Sequence, residues 1–73
     1  MNENKVRGEI LSMYPTLTAF ADACGWSRQK VSQFVSGERV PRLPDIQKIA
    51  EVLHKDVTYV TTIFLDLQSK KVD

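Results

Sequence analysis

Arg28, Gln29, Lys30, Ser32 and Gln33 crowd polar chemistry into one short stretch, and two further arginines follow at Arg39 and Arg42. A guanidinium donates two parallel hydrogen bonds and matches guanine O6 and N7. A glutamine amide both donates and accepts, and matches adenine N6 and N7. Lysines and loop arginines suit phosphate oxygens. From Arg28 to Arg42 four basic residues stand against Glu38 alone, so this stretch carries +3 while the whole chain carries +1 and the remainder −2. Positive charge is therefore focused where a polyanion would meet it. No paired carboxylates, metal-ligand cluster or nucleophile–base set is visible, so the sequence predicts neither an enzyme nor a cofactor. Cys24 is the single cysteine and His54 the single histidine, which excludes an intrachain disulfide and makes a poor metal site.

The elements that must position these side chains follow from periodicity and caps. Seventy-three residues suit one domain, and a hydrophobic fraction of 42% is enough for a small core. Val6, Ile10 and Met13 share a helical face, predicting a first helix from about Asn4 to Tyr14, stopped by Pro15. Thr16 caps a second helix through Ala23, with Phe20 and Ala21 inward, and Gly25 makes the turn. Ser27 caps a third helix from Arg28 to Val35 or Ser36, and Gly37 ends it.

After the loop GERVPRLP a fourth helix starts near Leu43, with Pro44 in its first turn and Ile46, Ile49, Ala50 and Leu53 as its apolar stripe. His54 stands at its end, where a left-handed residue is expected. The last apolar segment, VTYVTTIFLDL, is rich in strand-favouring β-branched residues. Its stripe Val57, Val60, Phe64, Leu67 and the cap Asp56 favour a fifth helix to about Leu67, with 68–73 as a frayed tail. The predicted fold class is all-α, a bundle of five helices. The charged start MNENKVRGE is not a signal peptide, no segment is apolar enough for a membrane helix, and a reducing cytoplasm is the expected compartment.

Within this frame the segment FADACGWSRQKVSQFVSG has helix-turn-helix spacing: Ala21 lies four residues before Gly25, Val31 six after it, and Phe34 three further. Together with Thr16, Ser27, Arg28, Ser32, Gly37, Pro41, Leu43, Ile49, Ala50 and Leu53, it resembles the Cro/XRE family of helix-turn-helix domains, which includes the repressors and Cro proteins of lambdoid phages. The resemblance covers roughly Lys5 to Val60. It implies a five-helix domain that binds double-stranded DNA at a near-palindromic operator, as a homodimer, with the third helix in the major groove and the second across the backbone. It further implies a transcriptional repressor that competes with polymerase.

Carried over by position, Arg28, Gln29, Ser32 and Gln33 are the expected base readers. Thr16, Thr18, Ser27, Lys30, Arg39 and Arg42 are the expected backbone contacts. In this setting Cys24, at a position where the family has a buried leucine, reads as a core residue, and Trp26 as a plug between the second and third helices. Two positions depart from the family. Leu17 stands where a glutamine often touches a phosphate. Ile10 and Val35 stand where a basic residue and a glutamate often pair, which predicts an apolar contact in place of an ion pair. Val60, Ile63, Phe64, Leu65 and Leu67 are more apolar surface than one helix can bury in a small domain; half of them are enough to complete the core, and an interface built from the remainder makes Val60, Ile63, Phe64 and Leu67 the expected dimer residues. The same scaffold would also suit an antitoxin with a toxin partner, a restriction–modification controller, or an interaction module that has lost DNA.

Overall fold

Each of the first three helices begins at a short polar side chain folded back on its own backbone. Asn4 Oδ1 accepts from the Arg7 N–H (2.9 Å), Thr16 Oγ1 from Ala19 (3.1 Å) and Ser27 Oγ from Lys30 (3.2 Å). These bonds satisfy donors that the first helical turn leaves without partners. The computed structural model describes residues 4–71. Its elements are α1 (Lys5–Met13), α2 (Leu17–Cys24), α3 (Arg28–Ser36), α4 (Leu43–Leu53) and α5 (Val57–Lys71), with no strand among the described residues. The all-α, five-helix expectation is met.

The helix ends follow local chemistry as well. Gly25, Gly37 and His54 are left-handed, with φ of 77°, 87° and 58°. The next N–H then reaches back into the last turn: Trp26 to the Ala21 carbonyl (2.9 Å) and Lys55 to the Ala50 carbonyl (3.0 Å). α4 starts differently. The Arg42 backbone N–H donates to Asp45 Oδ2 (3.1 Å), with Pro44 in the first turn.

Val6 and Ile10 of α1, Phe20 and Ala21 of α2, Val31 and Phe34 of α3, Ile49 and Leu53 of α4, and Val60 and Phe64 of α5 meet in one core. α2 packs against α3 and α4, and α5 against α1 and α4. Aromatic rings join the layers: Phe34 lies 5.5 Å from Trp26 and 6.3 Å from Phe64, and Tyr14 lies 5.6 Å from Phe20 in edge-on contact. Trp26 is the plug the sequence suggested. Cys24 is buried among these residues, and burial pushes its thiol up to about 11, so it stays protonated at neutral pH and acts as a small apolar group. Ile10 and Val35 are both buried in the same core, and no charged side chain is buried among the described residues.

Four expectations need correction. Met13 is exposed, as the last residue of α1, although Ile10 one turn before it is buried. Val57 is likewise exposed, at the open start of α5. α5 continues through Lys71, so residues 68–71 are helical, while 72 and 73 lie outside the described residues. Gln68 Nε2 helps to hold this extension by donating to the Gly37 carbonyl (3.4 Å). The fourth concerns the expected dimer residues. Val60, Ile63 and Phe64 are at most 4% exposed within the single chain and Leu67 is half-buried, so they complete the core and have little surface to offer a partner.

Candidate nucleic-acid interface

α3 stands as a ridge on the bundle. Val31, Phe34 and Val35 are buried and anchor it to the core. The alternation leaves Arg28 and Gln29 exposed and Ser32 and Gln33 half-exposed on the outer side. A shallow groove runs along each flank. One, of about 300 Å³, is lined by Ser27, Gln29, Lys30, Gln33 and Arg39. The other, of about 440 Å³, lies between α3, the start of α2 and α1, and gathers Thr16, Thr18, Arg28 and Ser32 with Arg7, Leu11, Pro15 and Leu17. No acidic side chain lines either groove.

The ion pairs among the described residues are Lys30–Asp45 (3.6 Å), Lys48–Glu51 (3.7 Å) and Lys55–Glu9 (3.9 Å). Arg7, Arg28, Arg39 and Arg42 are not in any of them and are exposed, so their guanidinium donors face solvent. Arg39 is set by its backbone: its N–H donates to the Gln33 carbonyl (3.2 Å), and its guanidinium lies 5.9 Å from the Phe34 ring centre. The loop after α3 is thereby folded onto the helix that carries the polar side chains. Arg42 lines neither groove and stands at the start of α4.

Lys30 differs from the arginines. Its ammonium lies 4.4 Å from the Trp26 ring centre and 3.6 Å from Asp45 Oδ1. Asp45 also holds the Arg42 N–H, so one carboxylate ties α3 to the loop that carries Arg42. The side chain expected at a phosphate is in this structure a strut between α3 and α4. Leu17 is buried at 8% exposure and presents no polar group at the start of α2. Thr16 spends its oxygen on the Ala19 N–H but keeps a hydroxyl proton to donate.

Sequence reasoning did not single out Arg7 or Asp45. The role of Asp45 was partly legible, as an acid three residues into a helix. Arg7 was not, because its place beside Thr16 and Arg28 arises only when α1 packs across α2.

A polar helix face braced from behind, with open acid-free grooves on both sides, can offer hydrogen bonds to base edges and positive charge to the flanking phosphates. The comparisons with known proteins agree with this geometry. No curated protein and no solved structure matches the chain. The family model described as Helix-turn-helix matches residues 16–60, which begin at the Thr16 cap and end in the first turn of α5. With that match spanning more than half of its length, the chain belongs to the Cro/C1-type helix-turn-helix family of DNA-binding regulators.

Proposed function

We propose that the chain is a sequence-specific regulator of double-stranded DNA of the repressor type, working as a homodimer on a near-palindromic operator. The observation that carries this reading is the outer face of α3, where Arg28, Gln29, Ser32 and Gln33 are presented between two acid-free grooves. α3 enters the major groove, and those four side chains read base edges. Thr16, Thr18, Ser27, Arg39 and Arg42 engage the backbone, while Lys30 braces α3 against α4. Bound in this way over a promoter, the protein blocks polymerase.

A single α3 reads one half-site, so an operator needs a second copy. With Val60, Ile63 and Phe64 enclosed, the most exposed large apolar side chains among the described residues are Leu65, Val40 and Leu43, each more than 60% exposed. Leu65 and Val40 border a recess of about 80 Å³ with Pro41, Ile46 and Phe64, so projection and recess lie on one face, as a two-fold contact requires.

Selection of bound duplexes from a random pool, followed by a salt titration, tests the proposal. The expected result is a near-palindromic consensus whose affinity falls steeply with salt. Absence of duplex binding at low salt would overturn it.

A further inference from the structure

The family's usual phosphate contact at the start of the second helix is missing here, since Leu17 is buried and apolar. The groove beside it is nevertheless the larger of the two that flank α3, and its charge comes from two elements. Arg28 reaches it from α3 and Arg7 from α1. Three hydroxyls, of Thr16, Thr18 and Ser32, lie along it, and no carboxylate does. Glu9, the acid nearest to Arg7 in sequence, is engaged with Lys55 and Tyr59.

Two like charges on one concave wall repel each other mildly, and nothing among the described residues neutralises them. Guanidinium and hydroxyl donors without an acceptor suit an anion with several oxygens. We infer that Arg7 of α1 seats a backbone phosphodiester of the bound duplex in the groove between α1, α2 and α3, taking over the anchoring that Leu17 cannot provide. The inference rests on the DNA-binding reading. With α3 in the major groove, this flank faces the phosphates that border the groove on the side of Arg28, and Arg7 extends the contact beyond the helix-turn-helix segment.

A phosphate contact has a signature that a base contact lacks: it weakens all duplexes alike and removes counterion release. The test compares wild type, Arg7→Ala, Arg7→Lys and Lys5→Ala on one selected and one random duplex over a salt series. Lys5 is an exposed cation on α1 that does not line the groove, so it reports the effect of net charge alone. Arg7→Ala is expected to weaken both duplexes roughly tenfold at low salt, as for one charged hydrogen bond. It should also lower the slope of log K against log salt by about one. Arg7→Lys should keep the slope, and Lys5→Ala should change affinity by less than about twofold, as a screened exposed charge does.

Arg7 is exposed and makes no side-chain contact that folding needs, so unchanged melting temperatures should accompany these effects. An unchanged slope and affinity for Arg7→Ala, or equal losses from Arg7→Ala and Lys5→Ala, would overturn the inference while leaving DNA binding intact. A wild-type chain that binds no duplex would overturn both.

Discussion

The two grooves along α3 and the recess beside α5 are all concave, yet they are built from opposite materials. The grooves carry guanidinium, ammonium, amide and hydroxyl groups and no acid, with Leu11, Pro15 and Leu17 beside them in the larger one. The recess is lined by Val40, Pro41, Ile46, Thr61, Phe64, Leu65 and Gln68 and is nearly all apolar. Water solvates the first surface well, so in isolation it gains little from being covered; its interactions are electrostatic and salt-dependent. Water solvates the second poorly, so covering it is favourable at any ionic strength. One small core supports both surfaces, and under the proposed function they take different partners: a polyanion for the grooves and an apolar protein surface for the recess.

Phe34 lies beneath both. Its ring contacts Trp26 behind α3 and Phe64 at the wall of the recess. Phe34→Ala should cost about 3–5 kcal/mol, as truncation of a buried aromatic does. Because a chain of this size has little stability to spare, thermal denaturation should show most of it unfolded and both surfaces lost together. Retention of DNA binding with loss of self-association would mean that the two faces are mechanically independent.

Leu65→Gln attacks the recess alone. A leucine side chain transferred out of water contributes about 1.5–3 kcal/mol. Sedimentation should therefore show dimer dissociation rising roughly tenfold or more. The monomer should melt as before, since Leu65 is 64% exposed. The salt slope per half-site should also be unchanged. A dimer that survives this substitution would place the self-contact elsewhere.

Gln33→Ala and Arg42→Ala separate readout from anchoring within the polar surface. Gln33 lines a groove on the ridge, and its loss should relax base preference at one operator position by about 1–3 kcal/mol. Arg42, off the ridge, should weaken selected and random duplexes about equally and reduce the salt slope by about one. Identical profiles for the two variants in a binding-site selection would dissolve the distinction between them.

What was legible in the sequence was mostly local. Thr16 and Ser27 cap their helices within three residues, and His54 takes its left-handed turn where the α4 stripe ends. The outer face of α3 could be read for the same reason, because helical period alone separates Val31, Phe34 and Val35 from their polar neighbours. α5 was harder, since its composition argues for a strand. It stays helical because Val60, Ile63 and Phe64 are buried on one side, which outweighs the strand preference of its β-branched residues. Thr61 and Thr62 find partners within the helix by donating hydroxyls to the carbonyls of Val57 and Thr58 (2.8 and 2.9 Å). The apolar stripe of α5 reads equally as core or as an interface, because its spacing is the same whether it faces its own core or a second copy; in the structure Val60, Ile63 and Phe64 face the core. Arg7 and the bracing of Lys30 depend on how separate helices come together, which no single segment encodes.

Lys30 is the place where the contrast between the surfaces is least settled by composition, since it lines a groove as a cation yet leans inward. Its side chain and that of Asp45 are 28% and 23% exposed, so the pair is partly shielded and worth about 0.2–1 kcal/mol. Lys30→Met keeps an unbranched chain over Trp26 and removes the charge. If Lys30 is a strut, the variant should lose less than about 1 kcal/mol of stability. A double-mutant cycle with Asp45→Asn should show that this loss is shared between the two residues. The salt slope of DNA binding should stay at the wild-type value, because the ammonium already has its counter-charge in Asp45. A slope reduced by about one would show that the lysine abandons Asp45 for a phosphate on binding. The N-terminus of α4, and Arg42 with it, would then be released at the moment of contact, and the brace would become part of the polar surface it supports.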